Sequence, residues 1–312
     1  MSLRIAVIGV GHLGRHHARL LVGLDEVELV AAVDTNRARA DEVAASCGTS
    51  PVYDARDVMG KVDAVTIAVP TESHSAIARP LLEAGVAALV EKPIARSVAE
   101  ADGLVAAAKA GGALLAVGHT ERHNPAVAVA RSLLRDPRFI EVHRLAAFQE
   151  RSLDVDVVFD VMIHDLDVVL SLVPAEVESL EAVGIPVLTP RVDIANVRIR
   201  FGNGCIANLT ASRISRDTVR KIRFFQPMAY VSIDYAAQKV EMWQLVKRDG
   251  ARACIEGGDV PVTAAEPLRC ELVDFVEAVR SGRPALVTGA DGRRALALAE
   301  QITERMAEAE QR

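Results

Sequence analysis

The apolar positions of this chain change period partway along it, and the change divides the chain in two. Leu3 to Ile8 is a short continuous apolar run, the pattern of a strand buried on both faces. Residues 12–23 follow with Leu13, His17, Leu20 and Leu21 at helical spacing. The alternation then repeats, with strands expected at 27–33, 51–53, 63–69, 86–90 and 113–117 and helices at 36–46, 73–84 and 97–110. Strands alternating with helices of about ten residues predict βαβ units and one doubly wound parallel sheet.

Beyond residue 120 the pattern is different. Asn124-Pro125 is a good cap and first-turn pair for a helix at 125–135. A strand at 139–149 and a helix at 159–172 come next. Strands then dominate, at 177–183, 193–201, 204–213, 219–225, 229–234 and 238–247, and Asn203-Gly204 marks a hairpin. Helices at about 266–280 and 291–309 close the chain. The expected class is α/β: a doubly wound domain over 1–120, then an α+β domain over 121–312 on a large, mostly antiparallel open sheet. An exposed sheet face of that size needs cover, which predicts an oligomer.

Composition narrows the function classes. The 312 residues give each of two domains room for a core without a disulfide or metal staple. Half the residues are hydrophobic, which excludes a disordered chain, and only 4% are aromatic, so the core is built from Val, Leu, Ile and Ala. A net charge of −6 argues against a nucleic-acid partner. The most apolar stretch, 104–117, is interrupted by Lys109 and Gly111-Gly112, so no membrane span is expected. The N-terminus lacks the pattern of a signal peptide, and Cys47, Cys205, Cys254 and Cys270 are scattered with no CxxC pair. A cytoplasmic protein with reduced thiols is the expectation.

Gly9-Val10-Gly11-His12-Leu13-Gly14 is GxGxxG, follows a buried strand and opens a helix. Asp34 ends the next strand, twenty residues after Gly14. Together these are the dinucleotide-binding fingerprint of a Rossmann domain. Gly9 permits the tight turn, Gly11 lets backbone approach a pyrophosphate, and Gly14 lets the helix pack on the sheet; His12 and Leu13 complete the turn. Unpaired N–H groups at the helix start face the phosphates. Asp34 suits the ribose hydroxyls of NAD and repels a 2′-phosphate, while Arg37 nearby keeps NADP possible.

Ligands of doubly wound sheets sit at the carboxyl ends of the strands. There the chain places Thr71 and His74, expected beside the nicotinamide, then Glu91-Lys92-Pro93, then the stretch Gly118 to Pro125. Lys92 is wedged between Glu91 and a proline that fixes the backbone, which suits either a structural ion pair or a functional lysine. Asp160 and His164 stand at i, i+4 on one helical face, with Asp167 a turn further on. A histidine near a carboxylate can pass a proton near neutral pH, although a helix cap and a buried histidine would give the same spacing. Arg122 is a candidate for a substrate phosphate or carboxylate, with an ion pair as the alternative. His119, His123, Asp160, His164 and Asp167 are residue types that suit zinc, but the fingerprint already supplies a redox cofactor, so no metal is expected.

On Gly9 to Gly14, Glu91-Lys92-Pro93 and the Asp160, His164, Asp167 spacing, the chain resembles the Gfo/Idh/MocA family of NAD(P)-dependent oxidoreductases over its whole length. The resemblance implies a Rossmann domain plus an α/β domain whose open sheet commonly forms subunit interfaces. It implies that Lys92 contacts the reacting hydroxyl, that Asp160 binds substrate and that His164 transfers the proton. Many members carry a glycine-rich stretch before the aspartate and a glycine two residues after it; here stand Val157-Val158-Phe159 and Met162. With the stretch Gly118 to Pro125, this is similar to the branch of UDP-N-acetylglucosamine 3-dehydrogenases. That places His119, Arg122, Asn124 and Asp167 toward substrate and implies a sugar or nucleotide-sugar CH–OH donor. A free sugar or polyol such as inositol, and a non-catalytic NAD sensor on the same fold, are the alternatives.

Overall fold

The computed structural model describes residues 2–148, 155–247 and 253–310. The chain forms two compact units, 1–120 with 266–296 and 121–265 with 297–312. The break at 120 falls where the hydrophobic period changes. Residues 266–296, expected with the second half, instead pack with the first.

In the first unit β1 (Leu3–Ile8), α1 (Gly14–Val22), β2 (Val27–Val33), α2 (Arg37–Cys47), β3 (Ser50–Val52), β4 (Ala64–Ile67), α3 (Thr71–Glu83), β5 (Ala87–Glu91), α4 (Val98–Gly111) and β6 (Leu115–Gly118) follow in order. The sheet order is β3-β2-β1-β4-β5-β6, with every pairing parallel. The central strands are buried along their length, as continuous apolar runs must be when helices cover both faces. One core layer joins Ile5, Val7, Leu20 and Leu21 to Leu272, Phe275 and Val276. The last three come from α7 (Pro267–Ser281), found later in the chain.

The second unit starts with a short turn of 3₁₀ helix (Thr120–His123) and α5 (Pro125–Leu133). It continues through β7 (Phe139–Leu145), a π-helical turn (Val158–Met162) and α6 (Ile163–Leu172). Its remaining strands are β8 (Val177–Ile185), β9 (Ile194–Phe201), β10 (Ile206–Ser212), β11 (Val219–Gln226), β12 (Ala229–Asp234), β13 (Lys239–Val246) and β14 (Cys254–Val260). The end of the strand expected at 139–149 lies outside the described residues, and β14 was not foreseen. The sheet order is β14-β13-β12-β11-β7-β10-β9-β8, antiparallel except where β7 meets β10. Alternation along β9 and β10 buries every second residue. The Asn203-Gly204 turn forms as expected: Gly204 has φ +81° and Asn203 Oδ1 accepts the Cys205 N–H. α8 (Gly289–Glu310) begins in the first unit and ends in the second. Among the described residues no helix is long and apolar enough to cross a membrane.

Candidate active site

β1 ends at Ile8 and the glycine turn leads straight into α1. Gly9 has φ +82°, and a Cβ there would lie 2.6 Å from the Ala68 carbonyl oxygen. A Cβ on Gly14 would fall 1.7 Å from the Gly9 oxygen, so helix and turn meet too closely for any side chain. Gly11 is different. A Cβ there would meet only Arg39 Nη1, at 3.7 Å, so the protein's own packing does not require glycine. What the missing side chain leaves is open space over the turn, which a pyrophosphate needs. α1 has no side-chain cap and no acidic residue in its first turn, whereas Asn36, Ser97 and Asn124 cap α2, α4 and α5. Its N-terminal N–H groups and dipole therefore suit an anion.

A cleft of about 540 Å³ opens at this turn, lined by Gly9, Gly11, His12, Leu13 and Asp34, with Val69 and Pro70 opposite. Asp34 is nearly buried. Its Oδ2 accepts the Val10 N–H and an Arg39 N–H, both at 3.2 Å, and its Oδ1 accepts the Asn36 N–H at 2.9 Å. The carboxylate is thereby fixed where a ribose would lie. Arg37 stacks over Tyr53 at 4.2 Å. These residues fit a nicotinamide dinucleotide.

Other residues expected at the cofactor lie off the lining of this cleft. Thr71 is the first residue of α3 and does not line the cleft. His74 is buried, with its ring nitrogens each 2.9 Å from a carbonyl oxygen, those of Pro93 and Val69. It ties the turn after β4 to the loop after β5. Glu91 is also buried and faces His17, whose Nε2 lies 3.0 Å from Glu91 Oε1. Glu91 Oε2 accepts the N–H of Lys92. Lys92 itself is half-buried, and its peptide bond to Pro93 is cis.

In the second unit burial sorts the acidic residues around α6. Asp160, in the π-helical turn, and His164, in the first turn of α6, are half-buried. Asp165 and Asp167 are buried and face arginines. Arg122 donates from Nε to Asp167 Oδ2 at 3.0 Å, so the carboxylate that Arg122 meets is the protein's own. Arg144 forks onto Asp165 at 2.6 and 2.9 Å and reaches Glu121 at 2.9 Å. Burial works against the Arg144 guanidinium, but Asp165 and Glu121 outweigh it and raise its pKa. Asn124, expected toward substrate, caps α5 and donates to the Tyr235 carbonyl oxygen and to Glu121. His119 is buried at the end of β6.

Arg144, Asp165, Glu271 and the partner of His17 were missed at the level of sequence. A signal did exist for Arg144: it occupies the inward register of β7 after Ile140 and Val142. Among the described residues, the His/Glu group whose ligand atoms converge is His17, Glu91 and Glu271, not the histidines at 119 and 123.

A Rossmann unit with an open glycine turn and a buried carboxylate fixed beside it has the form of a dinucleotide-binding domain. Residues 3–119 match the model of the oxidoreductase family with an NAD-binding Rossmann fold, and residues 98–225 match the GFO/IDH/MocA C-terminal domain. The chain is 39% identical to UDP-N-acetylglucosamine 3-dehydrogenase from Acidithiobacillus ferrooxidans, covering 97% of this chain and 96% of that one. It is 28% identical to scyllo-inositol 2-dehydrogenase (NAD(+)) from Bacillus subtilis, covering 93% and 90%. The solved structure of the A. ferrooxidans enzyme GnnA superposes with a TM-score of 0.91 at 37% identity, over 98% of both chains. The chain belongs to the Gfo/Idh/MocA family and is an NAD(P)-dependent dehydrogenase.

Proposed function

We propose that this dehydrogenase oxidises a secondary hydroxyl of a sugar, best read as the 3-hydroxyl of a nucleotide sugar like UDP-N-acetylglucosamine. The observation that carries the substrate is the near full-length identity to the A. ferrooxidans enzyme. A polyol such as inositol is the second reading, supported by the full-length inositol dehydrogenase relative at lower identity. NAD is the preferred cofactor in this reading, because the Asp34 carboxylate repels a 2′-phosphate; Arg37 and Arg39 keep NADP as the second choice.

Gly9, Gly11, His12, Leu13 and Asp34 would hold the dinucleotide, with its pyrophosphate at the start of α1. When bound, it accepts a hydride from the substrate carbon. His164 is assigned the hydroxyl proton, which a histidine can take near neutral pH. Lys92 orients the hydroxyl and offsets the negative charge that develops on its oxygen. Asp160 binds the substrate or fixes the His164 tautomer. Arg122 and Asp167 hold α6 in place rather than touching substrate. The active protein is a homodimer or homotetramer assembled through the open sheet.

A screen of nucleotide sugars, free sugars and polyols, followed by nicotinamide absorbance, tests the substrate. The expected hit is a UDP-N-acetyl sugar with NAD; reduction with inositol alone would transfer the reading to polyols. Lys92→Ala is expected to lower kcat at least about 100-fold with cofactor affinity kept. Turnover that survives that substitution would remove Lys92 from the mechanism.

A further inference from the structure

Three ionisable side chains converge next to Lys92, and the mechanism above uses none of them. His17 from α1, Glu91 at the end of β5 and Glu271 from α7 present donor atoms that all lie within 4.8 Å of one another. Their exposures are 0%, 6% and 1%. His17 Nε2 sits 3.0 Å from Glu91 Oε1, and Glu91 Oε2 accepts the Lys92 N–H at 3.2 Å. Gly118 on β6 closes the remaining side, since a Cβ there would lie 2.9 Å from Glu91 Oε2. The carboxyl group of Glu91 is held at both oxygens.

The neighbours of Glu91 favour its carboxylate. Two buried carboxyl groups this close cannot both ionise without compensation. Burial opposes ionisation of Glu91, but the His17 hydrogen bond and the charges of His17 and Lys92 outweigh it, holding its carboxyl below the ordinary value. Glu91 therefore carries a negative charge beside Lys92.

We infer that His17 and Glu91 are positioning residues for Lys92, with Glu271 beside them in the cluster. Glu91 fixes the lysine backbone through its N–H and holds the side chain as the ammonium. His17 ties that carboxylate to the helix that opens at the phosphate turn. The inference rests on the reading of Lys92 as the residue at the reacting hydroxyl, so its first test does not use turnover.

That test is the pH dependence of Lys92 labelling by an amine-directed reagent, read by peptide mass spectrometry. Removing a neighbouring negative charge disfavours an ammonium, so Glu91→Gln moves the labelling midpoint to lower pH by about one unit or more. The alkaline limb of kcat/KM moves the same way, with cofactor Kd within about threefold of wild type. Glu271→Gln keeps both the midpoint and, within about twofold, kcat. An unmoved midpoint in Glu91→Gln overturns the inference. So does a Glu271→Gln variant that behaves like Glu91→Gln, or a stoichiometric divalent metal that Glu271→Gln releases. A moved midpoint with an unmoved turnover limb supports the cluster and removes Lys92 from the chemistry. Should Glu91→Gln not fold, His17→Gln frees one carboxylate oxygen but leaves its charge. It is expected to lower kcat about tenfold with the labelling midpoint kept, and an unchanged kcat overturns the role of His17.

Discussion

Three glycines that look alike in the motif do different work, and substitution separates them. Gly14→Ala forces a Cβ against the Gly9 carbonyl and is expected to cost about 3 kcal/mol or more of stability. Gly11→Ala meets only the end of the flexible Arg39 side chain. It is expected to leave Tm within a degree or two while cofactor affinity falls at least about tenfold, measured by nicotinamide fluorescence. A Gly11→Ala variant that binds cofactor normally would mean that the pyrophosphate does not lie over this turn. Glu91 supplies the pH test at this scale. Its carboxyl is held below the ordinary 4.5, so its contribution to stability is present above that pH and is lost as pH falls toward the folded value. Glu91→Gln is therefore expected to flatten the acid side of a Tm-against-pH curve. The glycine motif, Asp34 and Lys92 stand out as candidates in the sequence because each depends on local spacing. The partners of Glu91 and His74, namely His17 and the Pro93 and Val69 carbonyl groups, were not legible because tertiary contact sets them.

Among the elements, α6 and the turn before it carry the most polar chemistry. The apolar spacing at 159–172 correctly predicts a helix, but not that its start is π-helical. That turn packs on β10, so long-range contact, not propensity, selects it. The two buried arginine pairs anchor α6: Arg122 from the 3₁₀ turn to Asp167, and Arg144 from β7 to Asp165. Arg122→Ala leaves Asp167 buried without its guanidinium and is expected to cost about 3–5 kcal/mol in denaturant unfolding. The double variant Arg122→Met with Asp167→Leu removes both charges and recovers most of that loss. A raised KM at unchanged stability in Arg122→Ala would instead return this arginine to the substrate. His119, Arg122 and Asn124 read as substrate candidates in the sequence because they follow a strand end, where ligands of such sheets gather. Within the protein, Asn124 caps α5 while Arg122 and Glu121 enter ion pairs with Asp167 and Arg144.

At the scale of the molecule, the expectation of an open sheet came from counting strands; what the open face displays needed the pairing register. Phe139 lies opposite Phe225, Phe225 opposite Tyr230, and Tyr230 opposite Trp243, across four adjacent strands. Ring centroids along the row are 5.5 and 5.2 Å apart for the first two pairs. The chain has only seven Phe, three Tyr and one Trp, and four of them stand in this row. The opposite face of the same strands buries Ile140, Val142, Ile222, Phe224, Val231 and Ile233 as core. The row is not core: Trp243 is 42% exposed, and Ile255, on the neighbouring β14, is 71% exposed. Ion pairs Arg223–Glu141 and Lys221–Asp234 flank it on the same face. An aromatic strip with a charged margin has the composition of a subunit interface. Cross-strand aromatic pairs add only about 0.2–1 kcal/mol to the sheet, so folding alone is a weak reason for an exposed strip of this composition. Trp243→Glu is therefore expected to shift sedimentation at micromolar concentration to the single-chain mass, with Tm lowered only as far as dissociation requires. A wild-type chain that sediments as a monomer, or a Trp243→Glu variant that keeps the wild-type mass, would show that this face does not hold subunits together.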